Sequence, residues 1–391
     1  MSSFMMYDPT RVLFGAGQLN HLHKQTLPGK RALLVISNGK SARENGALER
    51  TIGELANAGV QAVLFDQVQA NPLKSTIMAG AKAAREGACD FIVALGGGSV
   101  MDAAKIMAMM AANEGDLWDY VSGGTGKGQP LPNTPLPVVC ITTTAGTGSE
   151  VDQWGVVNNE ETQEKIGCGG LDSLFPVLSI VDPELMASVP STFTAYQGFD
   201  ALFHSTEVYI GKGANLMSDM VALTAIENVG KYLVRAVTDG GDLEAREHMA
   251  FANTLSGYSM VTGACVSEHA LEHAMSAYHP NLPHGAGLIV ISLAYYQHFI
   301  DAGCCPERFI RMAQALGMKD ADKPQDFITA LAQLQKQCGV DDLKMSEFGF
   351  LPDEFDKIAT NAKETMGGLF LADPCELNHI DCVKILEKSY R

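Results

Sequence analysis

Two short stretches of this chain carry side chains that could bind a metal ion. Asp200 and His204 stand four residues apart, so on a helix they would lie on one face. Further along the chain, His269 and His273 have the same spacing, and His284 follows within a Pro-His-Gly triplet. One carboxylate and several imidazoles form an oxygen- and nitrogen-rich set that suits a divalent cation. The sequence therefore predicts a metal site built from both stretches.

Each of these side chains has a simpler explanation when it is taken alone. Asp200 and His204 could be an ordinary ion pair on a helix surface, and His284 could be a turn residue. The residues around Asp200 are apolar, however, and they include Phe199 and Phe203. A buried carboxylate without a partner is costly, and a bound cation would supply that partner. The local composition therefore favours a metal ligand.

Two polar turns follow predicted strands in the first half of the chain. The turn at residues 96–99, Gly-Gly-Gly-Ser, separates a predicted strand at 90–95 from a predicted helix at 102–112. The threonine-rich turn at 142–149 follows a predicted strand at 137–141. Glycine lets the backbone approach a phosphate closely, and a helix N-terminus offers N–H groups to it. Ligands of open α/β sheets bind beyond the carboxyl ends of the strands, so the two turns predict a pyrophosphate cofactor, although a glycine turn alone could be purely structural.

The order of the predicted elements indicates two domains. Strands and helices alternate in the first half, which implies a parallel sheet with helices on both faces. In the second half Ala, Leu and Met recur at spacings of three and four, which is typical of helices. We therefore expect an α/β domain at 1–188 and an all-helical domain at 189–391. Ser191 or Thr192 is expected to cap the first helix of the second domain.

The bulk composition excludes several classes of protein. The chain has 391 residues, 46% of them apolar, and a net charge of −17, which argues against nucleic acid or an anionic membrane as a partner. The first residues lack the pattern of a secretory signal, and the longest apolar stretch, 285–296, is too short to cross a bilayer. Nine scattered cysteines without a C-x-x-C pair predict reduced thiols in a cytoplasmic protein.

Five motifs occur along the chain in this order: Gly96-Gly-Gly-Ser-x-x-Asp-x-x-Lys105, Thr143-Thr-Ala-Gly-Thr-Gly-Ser-Glu150, Asp200-x-x-x-His204, His269-x-x-x-His273 and Pro283-His-Gly285. Together they resemble the iron-containing (group III) alcohol dehydrogenases, in particular the NAD(P)H-dependent butanol dehydrogenases and aldehyde reductases. The resemblance implies a dehydroquinate synthase-like fold, with an α/β nucleotide-binding domain, an all-α domain and an active site between them. It also implies reversible hydride transfer between NAD(P)(H) and a primary alcohol or aldehyde.

The resemblance further implies roles for individual residues. The metal ligands would be Asp200, His204, His269 and His284. They would hold Fe²⁺, with Zn²⁺ as the alternative. The catalytic residues would be His273, which matches a proton-relay histidine, and Asp102, which matches an aspartate beside the nicotinamide. The cofactor-binding residues would be Gly39, Ser41, Gly97, Gly98, Ser99, Asp102, Thr142, Thr143, Thr147 and Lys165.

The assignment of the third ligand stays open at this point. The stretch from His269 to His284 is one residue longer than the family pattern leads us to expect, and it contains an additional His279. The ligand could therefore be His269, His273 or His279.

The choice of cofactor also stays open. Relatives that prefer NAD carry an aspartate after the first strand, where this chain has Gly39. An acidic group there would repel a 2′-phosphate. Its absence, with Lys40, Ser41 and Arg43 nearby, favours NADP(H) over NAD(H), although both cations could equally be solvated surface charges.

Other functions are compatible with parts of this pattern. Glycerol dehydrogenase-like and dehydroquinate synthase-like proteins share the fold and use three metal ligands. Other polyol oxidoreductases share the fold as well, and maleylacetate reductase-like proteins lack the metal. A nucleotide- and metal-binding sensor without turnover is the alternative outside the enzymes. Four candidate ligands and the relay histidine favour the alcohol dehydrogenase, with a small alcohol or aldehyde as substrate and a homodimer or larger homo-oligomer as its assembly.

Overall fold

The computed structural model describes residues 3–391, and the chain divides into two compact units. The first unit is Asp8–Ser188. The second is Val189–Arg391 together with the described residues that precede Asp8.

The first unit is built on a six-stranded sheet in which all neighbouring strands are parallel. Its strands, in the order β1-β8-β5-β4-β2-β3, are β1 (Arg11–Phe14), β8 (Leu178–Val181), β5 (Val138–Thr142), β4 (Phe91–Gly96), β2 (Arg31–Ser37) and β3 (Gln61–Val68). The helices of this unit are α1 (Ser41–Glu44), α2 (Ala47–Asn57), α3 (Lys74–Glu86), α4 (Gly98–Ala112) and α5 (Leu117–Tyr120). A separate antiparallel hairpin consists of β6 (Trp154–Asn159) and β7 (Glu164–Gly169). The predicted α/β class is confirmed.

The carboxyl ends of three neighbouring strands meet at one edge of this sheet. Strand β4 lies between β2 and β5, and Gly96 is in register with Thr142. The apolar residues of β2 and β4 are buried because helices cover both faces of the sheet. The turns that follow these strands are therefore brought to one place by the strand order.

The second unit is helical throughout, as predicted. Its helices are α6 (Ser191–Ile210), α7 (Leu216–Thr238), α8 (Leu243–Thr262), α9 (Ser267–Tyr278), α10 (His284–Asp301), α11 (Pro306–Ala315), α12 (Gln325–Gln337), α13 (Phe355–Ala372) and α14 (His379–Ser389). Among the described residues, no helix is long and apolar enough to cross a membrane.

The predicted cap of α6 is wrong. The N-cap position is Pro190, and no side-chain hydrogen bond caps the helix there. Ser191 and Thr192 already belong to the first helical turn, so neither of them occupies the cap position.

The expectation that all nine cysteines are reduced is wrong for one pair. Cys304, between α10 and α11, forms a disulfide with Cys375, between α13 and α14, and the two are 71 residues apart in sequence. Helix α14 packs on both α10 and α13, so the fold brings together two loops whose proximity the cysteine spacing does not reveal.

Candidate metal and nucleotide sites

Three helices of the second unit bring the four predicted metal ligands together. Asp200 and His204 lie on α6, His269 lies on α9, and His284 is the first residue of α10. Oδ1 of Asp200 is 3.4 Å from Nδ1 of His204 and 3.5 Å from Nε2 of both other histidines. Tetrahedral ligand atoms about 2.1 Å from a metal lie about 3.4 Å from one another. Oδ1 of Asp200 thus lies at about this spacing from a nitrogen of each histidine. Asp200, His269 and His284 also form a group whose ligand atoms all lie within 4.8 Å of one another, and His204 is not part of that group.

The burial of these atoms also indicates a metal site. Asp200 and His269 are each 4% exposed. Oδ1 of Asp200 and Nε2 of His269 form no hydrogen bond with any described residue, and a buried polar atom without such a bond costs about 1–3 kcal/mol. Burial alone would raise the pKa of Asp200, but the neighbouring histidines hold that pKa well below its usual range. A carboxylate in this state is ready to bind a cation, so the residues fit the metal that the resemblance implies.

Two further carboxylates form hydrogen bonds with predicted histidine ligands, and the sequence analysis identified neither of them. Nδ1 of His269 donates a hydrogen bond to Glu207 on α6, and Nδ1 of His284 donates one to Glu272 on α9. Both glutamates are fully buried. Each stands three residues after a predicted ligand, and this i, i+3 spacing was the available signal.

The start of α9 is held by two buried carboxylates. The backbone N–H of Val266 donates to Oε2 of Glu207 at 2.7 Å, and that of Ser267 donates to Oδ1 of Asp373 at 3.0 Å. These bonds satisfy N–H groups that have no partner inside the helix. They also fix the first turn of α9, which carries His269.

A glycine allows α10 to approach α6. A Cβ atom at Gly285 would lie 2.2 Å from the backbone oxygen of Tyr196, so no larger residue fits without movement of one helix. The preceding residue is His284, which therefore reaches Asp200 because position 285 has no side chain.

The remaining histidines of this region occupy different positions. The ring centre of His273 lies 5.5 Å from that of His284 and 6.3 Å from that of His269, so His273 stands beside the ligands. His279 lies at the end of α9, where its Nε2 is 3.1 Å from Glu354 and its ring packs on Phe350. Of the three candidates, His269 offers a ring nitrogen that groups with Asp200 and His284, His273 groups with Glu272 and His284, and His279 belongs to neither group.

Cys265 comes near the same cluster and was absent from the predicted ligands. Its sulfur can be placed with ligand atoms of His204 and His269 within 4.8 Å of one another. Thiolate sulfur is among the ligands that select zinc, so Cys265 could influence whether the site prefers iron or zinc.

The two predicted phosphate-binding turns are in direct contact in the first unit. The N–H of Thr143 donates to the oxygen of Gly96 at 3.0 Å. A Cβ atom at Gly98 would lie 2.3 Å from Thr147, and one at Gly97 would lie 2.8 Å from Thr144. Helix α4 begins at this edge of the sheet, so its N-terminal N–H groups and both turns share one location, as phosphate binding requires.

Several of the predicted cofactor residues shape these turns. The hydroxyl of Thr142 donates to the backbone oxygen of Thr144 at 3.0 Å, and Thr142 is fully buried. The hydroxyl of Thr147 accepts from the N–H of Ser149 at 3.2 Å. Ser99 and Thr143 are half-buried at the same edge.

Asp102 connects α4 to the turn and to the hairpin. Its Oδ1 accepts from the Ser149 hydroxyl at 2.6 Å, and its Oδ2 accepts from the Val156 N–H at 2.9 Å. Burial raises the pKa of Asp102 to about 6, opposed by the nearby Lys105 ammonium. Lys105 is itself buried and donates to Asp152 at 2.7 Å. Both oxygens of Asp102 thus hold structure around the predicted nucleotide site.

The other predicted cofactor residues lie at two places. Gly39 and Ser41 are exposed after β2, and the nearby Arg43 pairs with Asp66 at 2.5 Å. Lys165 lies in β7, buried, and is in register with Asn158 of the hairpin.

Comparison with known proteins adds the family to this geometry. The family profile for iron-containing alcohol dehydrogenase matches residues 9–183, and the profile for the C-terminal part of the Fe-containing alcohol dehydrogenase family matches residues 194–390.

Individual relatives are similar over nearly the whole chain. A choline dehydrogenase of Bacillus subtilis is 36% identical over 369 residues, which cover 93% of this chain and 90% of the relative. An NAD-dependent methanol dehydrogenase of Bacillus methanolicus is 30% identical over 380 residues, 93% of this chain and 94% of the relative. A solved archaeal halo-thermophilic alcohol dehydrogenase from a Red Sea brine pool is 34% identical, with a TM-score of 0.95 and coverage of 100% and 99%. The chain belongs to the iron-containing alcohol dehydrogenase family.

Proposed function

We propose that this protein transfers a hydride reversibly between a nicotinamide dinucleotide and a primary alcohol or aldehyde, at a metal ion held by Asp200, His204, His269 and His284. The observation that carries the proposal is the convergence of one buried carboxylate and three imidazoles in a member of this family. A divalent ion held there supplies Lewis acidity to the oxygen of the substrate.

The protein side chains have separate tasks in this proposal. Asp200 is the only anion among the four ligands, so with neutral imidazoles and a divalent ion the ligand set keeps a net positive charge that suits a developing oxyanion. His273 stands beside the ligands and can move the hydroxyl proton of the substrate toward solvent. The second unit thus provides both the ligands and a proton carrier.

Iron is the metal that we propose, with zinc as the alternative. Imidazole and carboxylate ligands suit both ions, and the family is named for iron. Because Cys265 lies close to two ligands, substitution of this cysteine by serine tests whether sulfur affects the Fe²⁺-to-Zn²⁺ preference.

The cofactor that we propose is NADP(H) or NAD(H), bound by the paired turns of the first unit. Of the two, we propose that the protein prefers NADP(H), since the turn at Gly39 has no carboxylate that would repel a 2′-phosphate and Lys40 is exposed. Arg43 contributes less than the sequence indicated because it is paired with Asp66. One relative is named NAD-dependent, so kcat/KM must be compared for both cofactors.

A cofactor-oxidation assay tests the proposed reaction. Protein purified without oxygen should oxidise NADPH or NADH with butanal, and a panel with 1,3-propanediol and glycerol in the reverse direction tests the polyol alternative. His273→Ala should retain the metal and lower kcat by about 100-fold or more, since a positioned proton carrier contributes about 10²–10⁴ in rate. Wild-type turnover by His273→Ala would contradict its role, and binding of cofactor and metal without any turnover would favour a sensor.

A cytoplasmic location and a homo-oligomeric assembly also remain proposals. Light scattering on the purified protein measures the assembly. Cell fractionation tests the location. The test is informative because Cys304 and Cys375 form a disulfide, and disulfides are rare in cytoplasmic proteins.

A further inference from the structure

We infer that Glu207 and Glu272 are positioning residues that set the tautomer and the orientation of two histidine ligands. The inference rests on the proposed metal site, because both carboxylates act through residues of that site. Neither glutamate belongs to the predicted ligand set, but each accepts a hydrogen bond from Nδ1 of a predicted histidine ligand.

Glu207 connects α6 to a ligand on α9. It is fully buried, and one of its oxygens accepts the proton on Nδ1 of His269. The other oxygen accepts from the backbone N–H of Val266 at 2.7 Å. Both oxygens are therefore committed, and the same carboxylate fixes the ring of His269 and the start of its helix.

Glu272 connects α9 to the ligand at the start of α10. It is fully buried, and one of its oxygens accepts the proton on Nδ1 of His284. A Cβ atom at Gly287 would lie 2.8 Å from Cγ and 3.1 Å from Oε1 of Glu272. Helix α10 thus supplies both the histidine and the space that its supporting carboxylate occupies.

The two hydrogen bonds determine which nitrogen meets the metal. When a carboxylate accepts the Nδ1 proton, the lone pair of the ring is on Nε2. Nε2 of His269 and Nε2 of His284 each lie 3.5 Å from Oδ1 of Asp200. The carboxylate also makes Nε2 of the imidazole more basic, so that it donates its lone pair to a metal more strongly. The fixed tautomer and the higher basicity each increase affinity for a divalent ion.

The bonds also join the three helices in sequence. An acid on α6 holds a ligand on α9, and an acid on α9 holds a ligand on α10. The ligand geometry is consequently set before a metal binds, which lowers the cost of ordering the site.

The same helix provides a matched control. Glu268 is adjacent to His269 and is also fully buried, but its Oε2 accepts from the hydroxyl of Tyr296 at 2.6 Å. That hydroxyl lies 2.6 Å from Oγ1 of Thr206. Glu268 therefore has the same side chain and the same burial as Glu272, without a hydrogen bond to a predicted ligand.

The test measures Zn²⁺ affinity of the metal-free full-length protein by competition with a chromophoric chelator. Glu207→Leu and Glu272→Leu should each weaken Zn²⁺ binding by about 10–100-fold. Glu207→Gln and Glu272→Gln should be intermediate, at least about threefold weaker than wild type, because an amide oxygen still accepts from Nδ1 but lacks the charge. Glu268→Gln should remain within about twofold of wild type.

A second readout separates positioning from stability. Histidine ¹⁵N chemical shifts of the zinc-loaded protein should show Nδ1–H tautomers at His269 and His284 in the wild type, and loss of the Nδ1–H···O signature at one of them in each leucine variant. Variants that melt at lower temperature yet bind Zn²⁺ with wild-type affinity would overturn the inference. If the leucine variants do not fold, wild-type affinity in both glutamine variants would overturn it. Failure of the wild type itself to bind Zn²⁺ would instead refute the proposed metal site.

Discussion

Asp200 is almost fully buried, and three histidines with metal-binding ring nitrogens surround its carboxylate. A buried charge without a partner is unfavourable by several kcal/mol, and a nitrogen of each of the three imidazoles lies 3.4–3.5 Å from Oδ1 of Asp200. A divalent ion bound as we propose would give this carboxylate a cationic partner.

Asp102 provides a residue-scale prediction about pH. Its pKa is about 6 in the folded protein against an ordinary value of 3.8, so between these values the folded chain binds more protons than the unfolded chain. The free energy of unfolding should therefore decrease as pH rises from 4 to 6.5, with about 2–3 kcal/mol from this group. Asp102→Asn should show a decrease smaller by that amount in urea titrations. Equal pH dependence of the two proteins would contradict the assignment.

The ligands that the sequence predicted differ physically from the two glutamates that it did not predict. The spacing of Asp200 and His204, and of His269 within its helix, is a property of the chain and could be read directly. Glu207 and Glu272 also have helical spacing, but acids at such positions are usually solvated. Their importance follows from burial, which depends on how three helices pack.

At the scale of elements, the approach of α10 to α6 positions His284. Gly285→Ala places a methyl group against the backbone of Tyr196, so α10 must shift, and we expect Zn²⁺ affinity to fall by about tenfold or more because catalytic ligands tolerate displacements of only about 0.5 Å.

Gly368→Ala is the matched control for this substitution. Gly368 also lies in a helix, α13, but an added Cβ there meets no atom within 4 Å. This variant should bind Zn²⁺ as the wild type does and be as stable or slightly more stable. Equal affinities of the Gly285 and Gly368 variants would show that the close approach does not position the ligand.

The elements themselves were predicted to different degrees. The apolar runs located β4 and β5, and the spacing of Ala, Leu and Met predicted a helical second half, because burial on both faces or on one helical stripe has a direct signature. Helix α2 begins directly after Gly46, which adopts a left-handed conformation and separates α2 from the four-residue helix α1. The hairpin of β6 and β7 and the short edge strand β1 were not predicted, since strands of only four to six residues carry little periodic signal.

At the scale of the whole molecule, the order of elements predicted the fold class, whereas the order of strands came only from the structure. Strand β1 pairs with β8, from opposite ends of the first unit, and no local pattern encodes that pairing. No local pattern encodes the disulfide of Cys304 and Cys375 either, because the loops that carry these cysteines meet only when α14 packs against α10 and α13.

The disulfide yields a stability prediction for the whole chain. Cys375→Ser should lower the free energy of unfolding by about 2–4 kcal/mol relative to the oxidised wild type, since the bond closes a loop of 71 residues. Wild type and variant should converge after reduction with dithiothreitol. An identical free energy for the oxidised wild type and the variant would show that the bond does not stabilise the protein.

The most direct test of the metal site is the metal content of three proteins purified without oxygen and dialysed against metal-free buffer. Elemental analysis should find stoichiometric iron or zinc in the wild type and in His279→Ala, whose residue pairs with Glu354 away from the ligands. Asp200→Asn should retain little or none, because it removes the only anionic ligand. Retention of wild-type metal content by Asp200→Asn would contradict the proposed site.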